Sequence, residues 1–250
     1  MTLERQFESP RLNNELSCLN CVARNSGFCG TIIGKSSRRS PSRQERISRA
    51  FLSAAEQDIL SAHGNASQEM FVLCTGWAFR FYQLADGRRQ LLSILVPGDL
   101  FSAFGLFDPR PGYSVQALTD VRFCQLDRAD LKRELTAEPS ILDALGKICA
   151  VEIDDLNAAS ADLGRGNANE RIVHFALRLA KRLSARGMTI RKNCYPFPLS
   201  DTDIADITGL TEAEVGRVIA GLRRNNVIDI SDGKLLILNP AGFEGNASAG

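Results

Sequence analysis

Two periods of hydrophobic spacing divide the chain. From about Glu69, apolar positions follow a period of two: Trp77, Phe79 and Phe81 alternate with smaller or polar residues, as one face of a strand does. Turn signals recur at Thr75-Gly76, Asp86-Gly87 and Pro97-Gly98-Asp99, and a second strand group spans Tyr113 to Leu126. Short strands at this spacing predict an antiparallel roll or sandwich. Ahead of them, residues 47 to 61 carry Ile47, Phe51 and Ile59 at helical spacing, which predicts a lead-in helix. After Leu126 the period becomes helical. Residues 139 to 163 place Ile141, Leu145, Ile148, Cys149, Leu156, Ala159 and Leu163 on a stripe of mostly three- and four-residue spacing, with Glu152, Asp154 and Asp155 between them. That stripe suits a packed core helix or a dimer seam, and the acidic residues weaken a constitutive coiled coil. Gly164 and Gly166 supply the stop. Residues 169 to 186 predict another amphipathic helix, with Ile172, Phe175, Ala176 and Leu179 inward and His174 as a structural histidine.

Two short helices follow between residues 200 and 224. Ser200-x-x-Asp203 starts the first in capping-box fashion, Gly209 permits a tight turn, and Thr211-x-x-Glu214 caps the second. Val215, Val218, Ile219 and Leu222 form the second helix's apolar side. This is helix-turn-helix spacing. Thr211, Ala213, Gly216, Arg217 and Arg224 are the candidate DNA-facing residues, with Arg217 placed to grip a guanine and Arg223 and Arg224 to hold phosphates. An ordinary helical hairpin with solvated arginines is the plain alternative. Two strands around Ser231-Asp232-Gly233-Lys234 complete a winged helix.

Composition narrows the setting. The 250 residues suffice for one large domain or two ordinary ones, and a net charge of +1 means that any DNA-binding surface is a local basic patch. No apolar run is long enough to span a membrane and the N-terminus lacks the apolar core of a leader peptide, so a cytoplasmic protein is expected. The seven cysteines are odd in number and unlike a disulfide framework. Cys18, Cys21 and Cys29 stand as C-x₂-C-x₇-C, a crowding that suits a metal or an iron–sulfur centre. Cys74, Cys149 and Cys194 read as buried free thiols. No nucleophile–base pair or phosphate loop is visible, and His63 and His174 stand in no motif, so an enzyme is not expected. The expected divisions are 1–33 for the cysteine-rich segment, 34–50 for a linker and lead-in helix, 51–136 for the roll, 137–164 for a dimerisation helix and 165–250 for the winged helix-turn-helix.

At this point GWAFRFYQLADGRRQLLSILVPGDLFSAFGLF and LSDTDIADITGLTEAEVGRVIAGLRRNNVI resemble, in the right order, the effector roll and DNA-binding signature of the Crp/Fnr family of bacterial transcription regulators. The likeness covers roughly residues 50 to 240. It implies an α+β chain: a cyclic-nucleotide-binding-like β-roll, a long dimerisation helix and a C-terminal winged helix-turn-helix. It implies a homodimer on the double-stranded DNA of a palindromic operator, with RNA polymerase as a further partner. The dimer seam would use Ile141, Leu145, Ile148, Glu152, Leu156, Ala159 and Leu163. Members that bind cyclic AMP carry a Gly-Glu pair before Gly-Leu-Phe and an Arg-Ser pair soon after. Here Ser102-Ala103-Phe104-Gly105-Leu106-Phe107 and Tyr113-Ser114 stand instead. A buried cyclic phosphate would lack its cation, so no cyclic nucleotide is expected.

The Fnr branch is similar in having three N-terminal cysteines and a distant fourth, and Cys124 falls where that fourth is expected. The resemblance therefore implies a [4Fe–4S] cluster on Cys18, Cys21, Cys29 and Cys124, with the wider gap before Cys29 resembling the alphaproteobacterial type. Zinc on four thiolates, or no metal, is the alternative. Phe28 either shields the cluster from oxygen or packs locally. Fnr-type recognition helices usually carry Glu-x-x-Ser-Arg, whereas the matching residues here are Ala213, Gly216 and Arg217, so an altered operator is expected. The competing readings are a cluster-free regulator answering nitric oxide, thiol redox or another ligand, and an iron–sulfur electron carrier.

Overall fold

Alternation along the strands builds two opposed sheets. The computed structural model describes residues 11–12, 21–25, 28–30, 47–64, 69–101, 106 and 112–239. Its first nine strands are β1 (Arg11–Leu12), β2 (Arg49–Ala54), β3 (Ile59–Ser61), β4 (Glu69–Thr75), β5 (Ala78–Gln83), β6 (Arg89–Leu95), β7 (Leu100–Phe101), β8 (Ser114–Ala117) and β9 (Val121–Asp127). Among the described residues they form an antiparallel five-stranded sheet ordered β1-β2-β9-β4-β7 and a four-stranded sheet ordered β3-β8-β5-β6. Between the sheets lie Leu52, Leu73, Phe101, Val115, Ala117 and Phe123. Phe71 stacks on Phe101 at 5.3 Å, and Phe101 meets Phe123 edge-on at 5.8 Å. Such rings contribute about 0.5–1.5 kcal/mol per pair beyond their buried area.

The other face of the five-stranded sheet is also apolar. Met70, Val72 and Cys74 of β4 and Cys124 and Leu126 of β9 are buried there with Cys21, Ala23 and Phe28 of the N-terminal segment. A sheet buried on both sides explains why β4 is apolar at nearly every position.

The lead-in helix expected over residues 47 to 61 is not formed. That stretch is β2 and β3, with Phe51 opposite Cys124 and Leu52 opposite Phe123. Phe51 and Leu52 thus serve opposite faces, and pairing with β9 overrides a helical spacing that rested on three residues.

The roll leads into α1 (Arg128–Ala137), whose first turn is closed by the Asp127 carboxylate accepting from the Asp130 backbone N–H. Pro139 starts a separate helix, α2 (Pro139–Arg165), which continues through Gly164. The chain divides into two compact units, one ending at Glu152 and one beginning at Ile153, so α2 runs from the first into the second.

In the second unit, α3 (Ala168–Ala185) buries Ile172, Phe175, Ala176 and Leu179, as its spacing predicts. His174 Nδ1 lies 2.7 Å from the Asp162 carboxylate, which also takes Arg178. β10 (Cys194–Pro196), α4 (Asp201–Thr208), α5 (Glu212–Arg224), β11 (Ile228–Ser231) and β12 (Lys234–Ile237) complete the unit. The three strands form an antiparallel sheet ordered β10-β12-β11. Asp232 and Gly233 both have positive φ, 51° and 67°, as a two-residue hairpin of the type favoured by Asp-Gly requires. Among the described residues no helix is long and apolar enough to cross a membrane.

Candidate functional site

Register places the thiols. Val72 of β4 pairs with Cys124 of β9, so both side chains share the outer face of the five-stranded sheet. Cys74, two residues beyond Val72, returns to that face. A short 3-10 turn, Val22–Asn25, packs on β4 and carries Cys21 into place. Cys21, Cys124, Cys74 and Phe28 are all buried in one apolar cluster, with Cys29 half-buried against it. Three of the four residues singled out for a metal thus converge on one patch. Cys18 lies outside the described residues. The sequence reading left Cys74 out, because only the pairing of β4 with β9 reveals which face it serves.

The thiols feel one another. Cys74 is within hydrogen-bonding range of Cys21, and its S–H favours the Cys21 thiolate strongly enough to outweigh burial, lowering Cys21 to about 7. Cys74 is pushed far up by the same hydrogen bond, then by burial and by the charges of Cys21, Cys124 and Cys29. Its sulfur also lies 3.7 Å from the Val72 carbonyl oxygen. Among the described residues, no three cysteine, histidine or carboxylate side chains stand ready-made around one ion. In chemical kind the donors suit an iron–sulfur group: several thiols, one with its thiolate favoured, in a buried apolar cluster.

The same patch holds the start of α2. Ile141 and Leu145 are buried in the cluster beside Cys21, Phe28 and Cys124, and Ile148 and Cys149 pack against it. Ile141 is fully buried and Leu145 is 2 % exposed, both packed on the roll of their own chain. Glu152 is also engaged: it accepts from Arg80 at 3.0 Å. Arg80 is a buried cation that sequence reading passed over. It also donates to the Leu100 carbonyl oxygen at 2.9 Å and lies 5.2 Å from the centre of the Tyr113 ring. Leu142, Val151, Ile153, Leu156 and Leu163 are the exposed large apolar residues of α2, and Ala159 is half-buried. Leu142, Leu156 and Leu163 fall on a seven-residue spacing with Cys149. Asp155 has a partner in its own chain, Arg182 at 4.0 Å. Of the segment compared with the cyclic-nucleotide contacts, Ser102 to Gly105 and Phe107 lie outside the described residues.

The second unit presents the DNA-binding candidates. Ser200 caps α4 and Thr211 caps α5, each in a complete reciprocal box; Asp203 serves where Glu or Gln is usual. The Glu214 carboxylate is held below its usual range by the Thr211 backbone N–H and hydroxyl. Gly209 ends α4 at φ 66°, with Leu163 crowding the position where a side chain would start. Thr202 donates to Glu212 at 2.7 Å and joins the two helices. Val215, Ile219 and Leu222 are buried, while Thr211, Ala213, Gly216, Arg217 and Arg224 are exposed. Arg223 is committed elsewhere: it binds Asp229 at 2.6 Å and the Ile230 carbonyl oxygen. Of the two terminal arginines, Arg224 is therefore the better placed for a phosphate.

Comparison with known proteins agrees with both units. Residues 51–138 match the family model of a cyclic nucleotide-binding domain, and residues 170–245 match that of a Crp-like helix-turn-helix domain. The chain is 29% identical over 235 residues to the nitrogen fixation regulation protein FixK of Bradyrhizobium diazoefficiens, covering 93% of this chain and 94% of the relative. It is 30% identical over 173 residues to the transcriptional activator protein FnrL of Cereibacter sphaeroides, covering 66% of each. The solved structure of FixK2 from Bradyrhizobium japonicum superposes with a TM-score of 0.69 at 21% identity, over 79% of this chain and 96% of that one. At that identity the superposition speaks for the fold.

Proposed function

Because the chain belongs to the Crp/Fnr family of DNA-binding transcription regulators, we propose that it is an Fnr-type member whose operator binding is governed by an oxygen-labile [4Fe–4S] cluster on Cys18, Cys21, Cys29 and Cys124. Its relatives are transcription regulators and not enzymes. Regulators of this family bind DNA and act as dimers. The observation that carries the reading is the shared cluster: Cys21, Cys29 and Cys124 lie in the same apolar patch as Ile141 and Leu145 of α2.

Such a cluster, when bound, supplies a tie between distant thiolates that oxygen can break. The chain does the rest. Cys21 and Cys29 fix the N-terminal segment on the sheet, and Phe28, buried beside them, excludes water and oxygen. The fastened segment fills the patch into which Ile141 and Leu145 pack, which sets how α2 is held. The exposed Leu142, Ile153, Leu156 and Leu163 then pair with the same residues of a second copy, with Ala159 at the margin. In the dimer, two copies of α5 enter successive major grooves of a palindromic operator in the cytoplasm, with Arg217 reading a base and Arg224 holding a phosphate. RNA polymerase is the downstream partner, and no cyclic nucleotide takes part. Release of the N-terminal segment loosens the patch and shifts the population towards monomers.

Protein purified without oxygen is expected to contain about four iron and about four sulfide per chain with broad visible absorbance. Colourless protein holding about one zinc overturns the reading. A second reading is a cluster-free regulator answering nitric oxide, thiol redox or another ligand. It is favoured by the burial of Cys21 in one cluster with Cys74, a cysteine that a four-ligand site leaves over.

A further inference from the structure

Cys74 stands among the other thiols of the patch. Its side chain is fully buried, whereas Cys21 keeps an edge to solvent at 9 % exposure. Both side chains belong to one buried cluster, and the 3-10 turn that follows Cys21 rests on the strand carrying Cys74. Pairing of β4 with β9 shifts register between Leu73 and Thr75, so Cys74 sits at an irregularity of its strand. Bulged positions tolerate local adjustment of the backbone better than a regular ladder does. A thiol at the edge of a buried cluster that holds a second, more deeply buried thiol suits an oxidised cysteine and its resolving partner.

We propose that Cys21 and Cys74 form a regulatory disulfide when the site holds no metal, with hydrogen peroxide as the oxidant. The Cys21 sulfur attacks one peroxide oxygen; an S–O bond forms, the O–O bond breaks, and the departing hydroxide leaves as water with the thiol proton. Cys21 is then a sulfenic acid. The Cys74 sulfur attacks the Cys21 sulfur; the S–S bond forms, the S–O bond breaks, and a second water carries away the Cys74 proton. Two thiols and one peroxide yield one disulfide and two waters, and two electrons pass from sulfur to peroxide.

The bond would join the N-terminal segment to β4 covalently. It would also withdraw Cys21 from any set of metal ligands until a reductant restores it. The proposal goes beyond the Fnr-type reading and deepens the cluster-free one, for which it names the thiol pair and the oxidant.

The test uses the full chain, freed of metal, reduced, and then treated with one equivalent of hydrogen peroxide. Free thiols are alkylated and unreduced peptides are analysed by mass spectrometry. The main linked pair is expected to join the Cys21 and Cys74 peptides and to vanish on reduction. It should be absent from Cys74→Ser and from Cys74→Ala, and retained by Cys124→Ser, which leaves the pair untouched. If Cys21 stays free, or links chiefly to Cys18, Cys29 or Cys124, the proposal is overturned. Iron and sulfide uptake by the reduced chain is measured in parallel. Failure there counts against the Fnr-type reading alone, because the linked pair is scored on protein without metal.

Discussion

Phe28 and Arg217 show what single side chains contribute in each of the two units. Phe28 is fully buried in the cluster that joins Cys21 to the outer face of the roll. Truncating it removes a whole ring from a packed core, a change that costs about 3–5 kcal/mol. Under the shielding role it also opens a path for oxygen, so Phe28→Ala is expected to shorten the cluster's lifetime in air severalfold. Stopped-flow absorbance checks this, and an unchanged lifetime would reduce Phe28 to a packing residue. Arg217 is exposed on α5, and its Nε reaches the Ala213 carbonyl oxygen of its own helix at 3.3 Å. Only a weak contact must be given up to reach a base. Arg217→Ala is expected to cost about 1–3 kcal/mol of operator affinity while leaving non-specific binding nearly unchanged. Titrations against operator and scrambled DNA measure both, and equal losses on the two would make Arg217 a phosphate contact. Ala213 and Gly216 offer no polar side chain to a base, so an operator selection should return a sequence less constrained than the usual Fnr site.

Helix α2 shows how far an element is legible in its sequence. Its existence and extent follow from the three- and four-residue spacing and from the lack of internal proline. Which face meets what does not, because apolar residues occur all round it. Ile141 and Leu145 belong to the roll's outer patch, and Leu142 and Ile153, left out of the sequence-based seam, are exposed at 52 % and 54 %. A charge at Leu156, which is exposed in the monomer, should leave the chain folded and disturb only association. Leu156→Glu is therefore expected to weaken the dimer at least tenfold with an unchanged thermal transition in the monomeric state; sedentation by analytical ultracentrifugation decides. A dimer of unaltered affinity would move the seam elsewhere. The winged helix was more transparent. Its capping boxes, the αL glycine and the Asp-Gly turn are local signals, and each acts within a few residues of where it is written.

At the scale of the whole molecule, the order of roll, long helix and winged helix was readable because each part has its own period and its own turn chemistry. The thiol site was readable only in part. The spacing of Cys18, Cys21 and Cys29 suits a metal, and the family resemblance suggests Cys124 as a fourth ligand. Cys74 and Arg80 depend on strand register, which brings together residues tens of positions apart and leaves no local trace. The segment at 47–61 failed for the same reason, since its pairing partner lies some seventy residues away in β9. What links the parts is α2, whose first turns share an apolar patch with the thiols and whose last turns lie in the DNA-binding unit. In the proposed mechanism the state of those thiols sets the affinity for DNA. It is tested most directly by anaerobic operator titration of the wild-type chain and of Cys124→Ser, with visible absorbance recorded on the same samples. Cluster absorbance and specific operator binding are expected to be lost together in the variant, the affinity falling at least tenfold; wild-type affinity in a variant without cluster absorbance would contradict the account.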